Sequence, residues 1–309
     1  MEQNEKKDKD NPKENNISFS YESIWKSIIR PQRDIYTLKE LGPYSFICKK
    51  KNYSRKDFNI LGHNGNILKC SFFEMDEIDR QELSLPVIIY LHGNAGSRLD
   101  SLKYVRIILE NQINLFCFDF AGCGLSEGEY ISLGFHEKED LKIIVDFVSK
   151  LPYVSSIGLW GHSMGAATAI LFAANDNRIK CICADSSFSD FNVLAKEMVH
   201  KKINLPNFIF DTAISFIRKS IMKRNGLDIY NLKPIDEVHK IKTPIMFIHG
   251  VKDNLIHMQH SVNLFEKCCS NNKIINCFEG GHNTKRDRLI IKKIIDFFIT
   301  NLNLENCQI

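Results

Sequence analysis

Between residues 87 and 250, five short runs are apolar almost without interruption: VIIYLH, INLFCFDF, SIGLWG, IKCICAD and PIMFIHG. A strand with one wet face alternates apolar and polar residues. A strand covered by helices on both faces does not, so these runs read as the buried strands of a parallel sheet. The segments between them, such as LDSLKYVRIILENQ, GFHEKEDLKIIVDFVSKL and SMGAATAILFAAND, place apolar residues three and four apart, the spacing of an amphipathic helix. KIINCFEG and RDRLIIKKIIDFFITNL add a last strand and a last helix. The pattern predicts an α/β fold with a mostly parallel, doubly wound sheet.

Ahead of the alternation, Tyr21–Arg30 has helical spacing and stops at Pro31. LGPYSFICKK and KDFNILGHNGNILKCSFFE read as antiparallel N-terminal strands, with HNGN as a hairpin turn. Residues 1–16 contain nothing able to build a core and are expected to be a disordered tail, leaving 17–309 as a single domain. The interval from Asp185 to Pro244 is too long for one crossover. Its periodic stretches FNVLAKEMV and NFIFDTAISFIRKSIM predict a helical cap or lid at about 187–240, lying over the carboxyl ends of the strands.

Several partners are disfavoured. A net charge of +4 makes no case for nucleic acid. The basic clusters Lys49–Lys51, His200–Lys202 and Arg218–Arg224 read as solvated faces, with peripheral contact to acidic lipid headgroups as the lesser alternative. No apolar run has membrane-spanning length, so stable membrane insertion is not expected. The ten cysteines lie mostly singly in apolar runs, without a CxxC pair, and read as reduced thiols of a cytoplasmic protein rather than zinc ligands. His257 and His260 stand three apart but lack an accompanying acid cluster, so neither a metal nor any other cofactor is expected.

The chemistry concentrates in LWGHSMGAA. A serine between an apolar strand and a small-residue helix, with Gly161 and Gly165 two positions to either side, has the form of a nucleophile elbow. Such a hydroxyl needs a base, and the base needs an orienting acid. PIMFIHGVKDNLI supplies Asp253 just past a strand, and KIINCFEGGHN supplies His282 just past the next, so Ser163, Asp253 and His282 follow in the order a sheet-borne triad requires. Asp185, also at a strand end, is the rival acid, while His162 and His249 read as structural. Oxyanion donors are expected from the backbone N–H of Met164 and, in the loop VIIYLHGNAGS, of Asn94 or Ala95. Asp119 is expected to organise the glycine turn FDFAGCGLSEG beside the site. The aromatics of the insertion, Phe188, Phe191, Phe208, Phe210 and Phe216, read either as an apolar acyl site or as the insertion's own core.

With HGNAGS, FDFAGCGLSEG, GLWGHSMGAAT, ADSSFSD, FIHGVKDNLI and GGHN in this order, the chain resembles α/β-hydrolases of the serine aminopeptidase and monoglyceride lipase-like group. Within it, the chain is most similar to the α/β-hydrolase domain-containing branch that includes acyl-protein thioesterases. RPQRDIY, LGPYSFICKK and YSRKDF resemble an N-terminal extension of eukaryotic members, and the resemblance spans about residues 25–300. It implies Ser163 as nucleophile, His282 as base and Asp253 as acid. The expected activity is a metal-independent serine hydrolase of esters or thioesters, with apolar acyl chains favoured and a small-molecule or acylated substrate. The alternatives are an aminopeptidase-like enzyme holding the substrate amine with Glu127, Glu129 or Glu197, and a non-catalytic binding protein of the same fold.

Overall fold

The computed structural model describes residues 21–80, 82–201 and 207–302, without the side chains of Tyr21, Ser23, His200, Asn207 and Phe208. The expected tail at 1–16 lies outside the described residues.

Strands β1 (Ser45–Cys48), β2 (Lys51–Leu61) and β3 (Ile67–Met75) form the antiparallel start. The β2–β3 hairpin turns at Asn64-Gly65, as HNGN predicts, with Leu61 opposite Ile67. The β1–β2 turn carries no such signal. Lys49 and Lys50 adopt φ of 45° and 66°, a conformation lysine seldom takes, and Lys49 is anchored by Glu110 at 3.0 Å. For that reason the sequence reads LGPYSFICKK as one strand, where the structure turns.

The parallel part comprises β4 (Leu85–Leu91), β5 (Asn114–Phe118), β6 (Val154–His162), β7 (Ile179–Asp185), β8 (Ile245–Gly250) and β9 (Lys273–Phe278). The nine strands lie in the order β1-β2-β3-β5-β4-β6-β7-β8-β9. β3 meets β5 antiparallel, and every pairing from β5 to β9 is parallel. The order reverses around β4, which pairs with both β5 and β6. Open α/β sheets bind ligands at the carboxyl ends beside such a switch.

Helices α1 (Tyr21–Ile29), α2 (Leu102–Glu110), α3 (Glu137–Val148), α4 (Met164–Ala173), α5 (Phe191–His200), α6 (Asn207–Asn225), α7 (Pro234–Glu237), α8 (Gln259–Lys267) and α9 (Arg288–Asn301) cover the two faces. α2 and α9 enclose one core around Tyr90, Trp160 and Phe298. The other, larger core joins α1, α3, α4 and α8 to α5 and α6. α4 is buried all round, and its alanines let it lie close to the sheet. α5, α6 and α7 occupy the interval after β7. α6 packs beside α1, with the Arg224 guanidinium 4.2 Å from the Trp25 ring centre, and Asn225 Nδ2 donates to the Ile131 carbonyl at 2.8 Å. No described helix is long and apolar enough to cross a membrane.

Candidate active site

β6 ends at His162 and α4 begins at Met164, so Ser163 carries the whole reversal between them. Its φ of 54° and ψ of −114° lie in territory that non-glycine residues rarely occupy. The reversal is feasible because its neighbours are glycines. A Cβ on Gly161 would stand 2.2 Å from the Gly165 carbonyl oxygen, and one on Gly165 would stand 2.1 Å from that of Leu91. The Ser163 N–H donates to the Asp185 carbonyl at 2.8 Å, fastening the turn to β7.

The structure brings Ser163, His282 and Asp253 together from three loops at the carboxyl edge. Ser163 Oγ is 2.9 Å from His282 Nε2, and His282 Nδ1 is 2.7 Å from Asp253 Oδ2. A carboxylate only accepts, so Nδ1 carries the proton and Nε2 accepts from the serine. Asp253 Oδ1 takes the N–H groups of Leu255 and Ile256, both at 2.9 Å. Burial alone would raise the Asp253 pKa. Hydrogen bonds from His249 and His282 outweigh it and hold the carboxyl well below its ordinary range.

His249, read from sequence as structural, is a second neighbour of the acid. Its Nε2 lies 3.3 Å from Asp253 Oδ2 and 2.8 Å from the Ile256 carbonyl, while Nδ1 meets Ser261 Oγ at 2.7 Å. Asp185, the rival acid, is occupied elsewhere. Arg286 binds it through both Nε (2.8 Å) and one terminal nitrogen (2.7 Å), a buried bidentate pair. Both terminal nitrogens of Arg286 also lie 3.2 Å from the His282 carbonyl, which takes a third contact from His162 Nε2 at 3.2 Å. Burial lowers the His162 pKa to about 4, so its ring is neutral at pH 7. Nothing in the sequence singles out Arg286, because its role depends on β7 and the β9–α9 loop meeting across the edge.

The loop after β4 faces the serine. Asn94 and Ala95 line the same cavity as Ser163, with Ala95 at φ 61°, and Met164 opens α4 beside it. Among the described residues, no acceptor takes the N–H of Asn94, Ala95 or Met164. The loop is held from below. His92 Nδ1 donates to the Gly93 carbonyl at 2.8 Å, and its Nε2 accepts from the Phe120 N–H at 3.0 Å. Asp119 accepts from the N–H of Arg98 (2.7 Å), the N–H of Leu125 (2.8 Å) and the Tyr36 hydroxyl (2.6 Å). It therefore organises the glycine turn and the loop after β4 at once.

The aromatics of the insertion go elsewhere, which corrects the acyl-site reading. Phe188, Phe191 and Phe210 are buried in the larger core, and none lines the cavity of Ser163. Their rings join that core because burial there removes apolar surface from water. Phe216 is exposed under Lys219, and the Phe208 side chain lies outside the described residues. His257 and His260 do not converge. His257 is exposed, whereas His260 Nδ1 accepts from the Ser189 N–H at 3.1 Å and its Nε2 lies 3.2 Å from Glu197. Glu127 binds the Ile67 N–H and Glu129 pairs with Arg30, so none of the three glutamates lines the cavity either.

Comparison with known proteins places this geometry. Residues 86–222 match the alpha/beta hydrolase fold family. The uncharacterized protein YqkD of Bacillus subtilis is 29% identical over 221 residues, 70% of this chain and 72% of that protein. Protein bem46 of Schizosaccharomyces pombe is 28% identical over 200 residues, 63% of this chain and 60% of bem46. Among solved structures, the esterase Pf2001 of Pyrococcus furiosus superposes with a TM-score of 0.66 at 21% identity, covering 89% of this chain and 98% of the esterase. In sheet order, strand-to-helix serine turn and matched sequence, this chain has the α/β-hydrolase fold.

Proposed function

We propose that this chain is a serine hydrolase that cleaves carboxylic esters or thioesters of small molecules through a covalent acyl-Ser163. The unbroken hydrogen-bonded path from Ser163 Oγ through His282 to Asp253 carries this reading. As Ser163 Oγ attacks the substrate carbonyl carbon, its proton passes to His282 Nε2. The charge on the resulting imidazolium is balanced by Asp253, whose carboxyl stays ionised. The carbonyl oxygen becomes an oxyanion in reach of the free N–H groups of Met164 and of Asn94 or Ala95. His282 then returns the proton to the leaving alcohol or thiol. Water repeats the sequence on the acyl-enzyme, releasing the acid, and no step calls for a metal. The likeness in fold to the Pyrococcus furiosus esterase agrees with ester chemistry. Glu127, Glu129 and Glu197, the glutamates that an aminopeptidase reading would use, do not line the cavity.

Labelling with a fluorophosphonate tests the assignment. The wild type should be modified at one residue, Ser163, and Ser163→Ala should escape labelling and lose turnover by roughly 10⁴ or more. An unlabelled wild type, or equal labelling of Ser163→Ala, refutes it.

A further inference from the structure

The cavity holding Ser163 has a volume of about 310 Å³, and most of its lining is polar. On the α2 side it is walled by Tyr90 of β4, 2% exposed, and Tyr104 of α2, 7% exposed, with ring centres 5.7 Å apart. Neither hydroxyl is hydrogen-bonded to any described residue. Their rings are packed away but their oxygens are not sealed from solvent, so the two phenols stand as free donors at the cavity wall. Burial raises the pKa of both, so both are neutral donors at neutral pH. Lys103 and Asp100 reach the same cavity, and neither is in an ion pair with a described residue. Among the larger side chains of the lining, only Leu255 is aliphatic.

Such a wall discriminates against hydrocarbon. A methylene placed against an unpaired phenol strips it of water and returns no hydrogen bond, a loss larger than the gain from burying that methylene. An ether, hydroxyl or carboxylate oxygen in the same place satisfies the donor. A cavity of this volume also sits at the small end of ligand sites, which span roughly 300–1,000 Å³.

We infer that Tyr90 and Tyr104 form a polar subsite for an oxygen-bearing group of the substrate, so that Ser163 acts on short polar esters or thioesters rather than on long-chain acyl groups. This rests on the hydrolase reading above. The subsite is defined by its donors, and either half of the ester can supply the acceptor oxygen.

Matched pairs of substrates test it. p-Nitrophenyl methoxyacetate and butyrate differ by one oxygen for one methylene in the acyl half; 2-methoxyethyl and butyl acetate do so in the alcohol half. Each kcat/KM is divided by that ester's hydroxide-catalysed rate, which removes intrinsic reactivity. The wild type should favour the oxygen-bearing member in at least one pair by roughly five- to tenfold per phenol engaged. Tyr90→Phe/Tyr104→Phe should abolish or reverse the preference. Its urea midpoint should be no lower than the wild type's, because no protein hydrogen bond is lost. Alkyl preference in both pairs, a preference unchanged in the double variant, or a clearly lowered midpoint overturns the subsite. A wild type that fluorophosphonate leaves unlabelled overturns the hydrolase reading and the subsite with it, whereas a labelled wild type that prefers alkyl esters overturns the subsite alone.

Discussion

Ser163 holds a backbone conformation that costs about 1–3 kcal/mol in isolation, and its surroundings overcome that cost. Two glycines remove the clashes, and Asp185 accepts the serine N–H. One residue earlier, His162 stores a second bias. Its ring is half-buried beside Arg286 and His282, and desolvation lowers its pKa from the ordinary 6.5 to about 4. Between those values the unfolded chain binds a proton that the folded chain excludes, so stability drops as pH falls through that window. The loss attributable to His162 reaches about 3 kcal/mol near pH 4 and is absent above pH 7. Urea unfolding of wild type and His162→Asn at pH 7 and pH 5 should show a shallower acid decline in the variant. Parallel declines would show that His162 does not titrate this way.

At the scale of elements, the site is three loops brought to one sheet edge, and Arg286 ties the loop of His282 to the end of β7. It neutralises Asp185 at the end of β7 and steadies the His282 carbonyl ahead of α9. Removing it by Arg286→Met leaves a buried, unpaired carboxylate, which should cost about 3–5 kcal/mol. Asp185→Leu/Arg286→Met should recover most of that stability, since an apolar pair of similar bulk replaces a buried ion pair at little cost. Activity should not recover with it. The double variant is expected to show a lower kcat with KM little changed, because His282 has lost two of the three donors that fix its carbonyl. Thermal unfolding paired with ester kinetics on both proteins separates the two effects, and full recovery of kcat would show that Arg286 only balances charge.

Across the whole molecule, Asp119 links parts of the chain far apart in sequence: Tyr36 ahead of the sheet, Arg98 after β4 and Leu125 in the glycine turn. Buried Arg98 also reaches Ser71 on β3 at 3.0 Å. Asp119→Ala strands these donors together with a buried guanidinium, and a loss of about 3–5 kcal/mol is expected in urea unfolding. A loss below 1 kcal/mol would mean that the loops hold without it.

The parallel sheet and the meeting of Ser163, Asp253 and His282 were legible in the chain because both are local signals repeated in order. A strand buried on two faces is apolar at every position. Each of the three residues stands just past such a strand, so the sheet delivers them to one edge. The Lys49–Lys50 turn was not legible, since its conformation is imposed by strand pairing and by Glu110 rather than by residue type. Phe188, Phe191 and Phe210 were ambiguous for a similar reason: an aromatic at helical spacing has an apolar face, but the spacing does not say what that face meets. Fold class, the order of the reacting groups and the glycines that permit the serine turn were thus determined by the sequence alone, through periodicity and the backbone limits of single residues. The pairing of the rival acid Asp185 with Arg286, the anchoring of His282 by Arg286 and the polar character of the cavity were decided by the tertiary structure. Each depends on side chains from separate loops arriving within about 3 Å of one another, a distance no local pattern encodes.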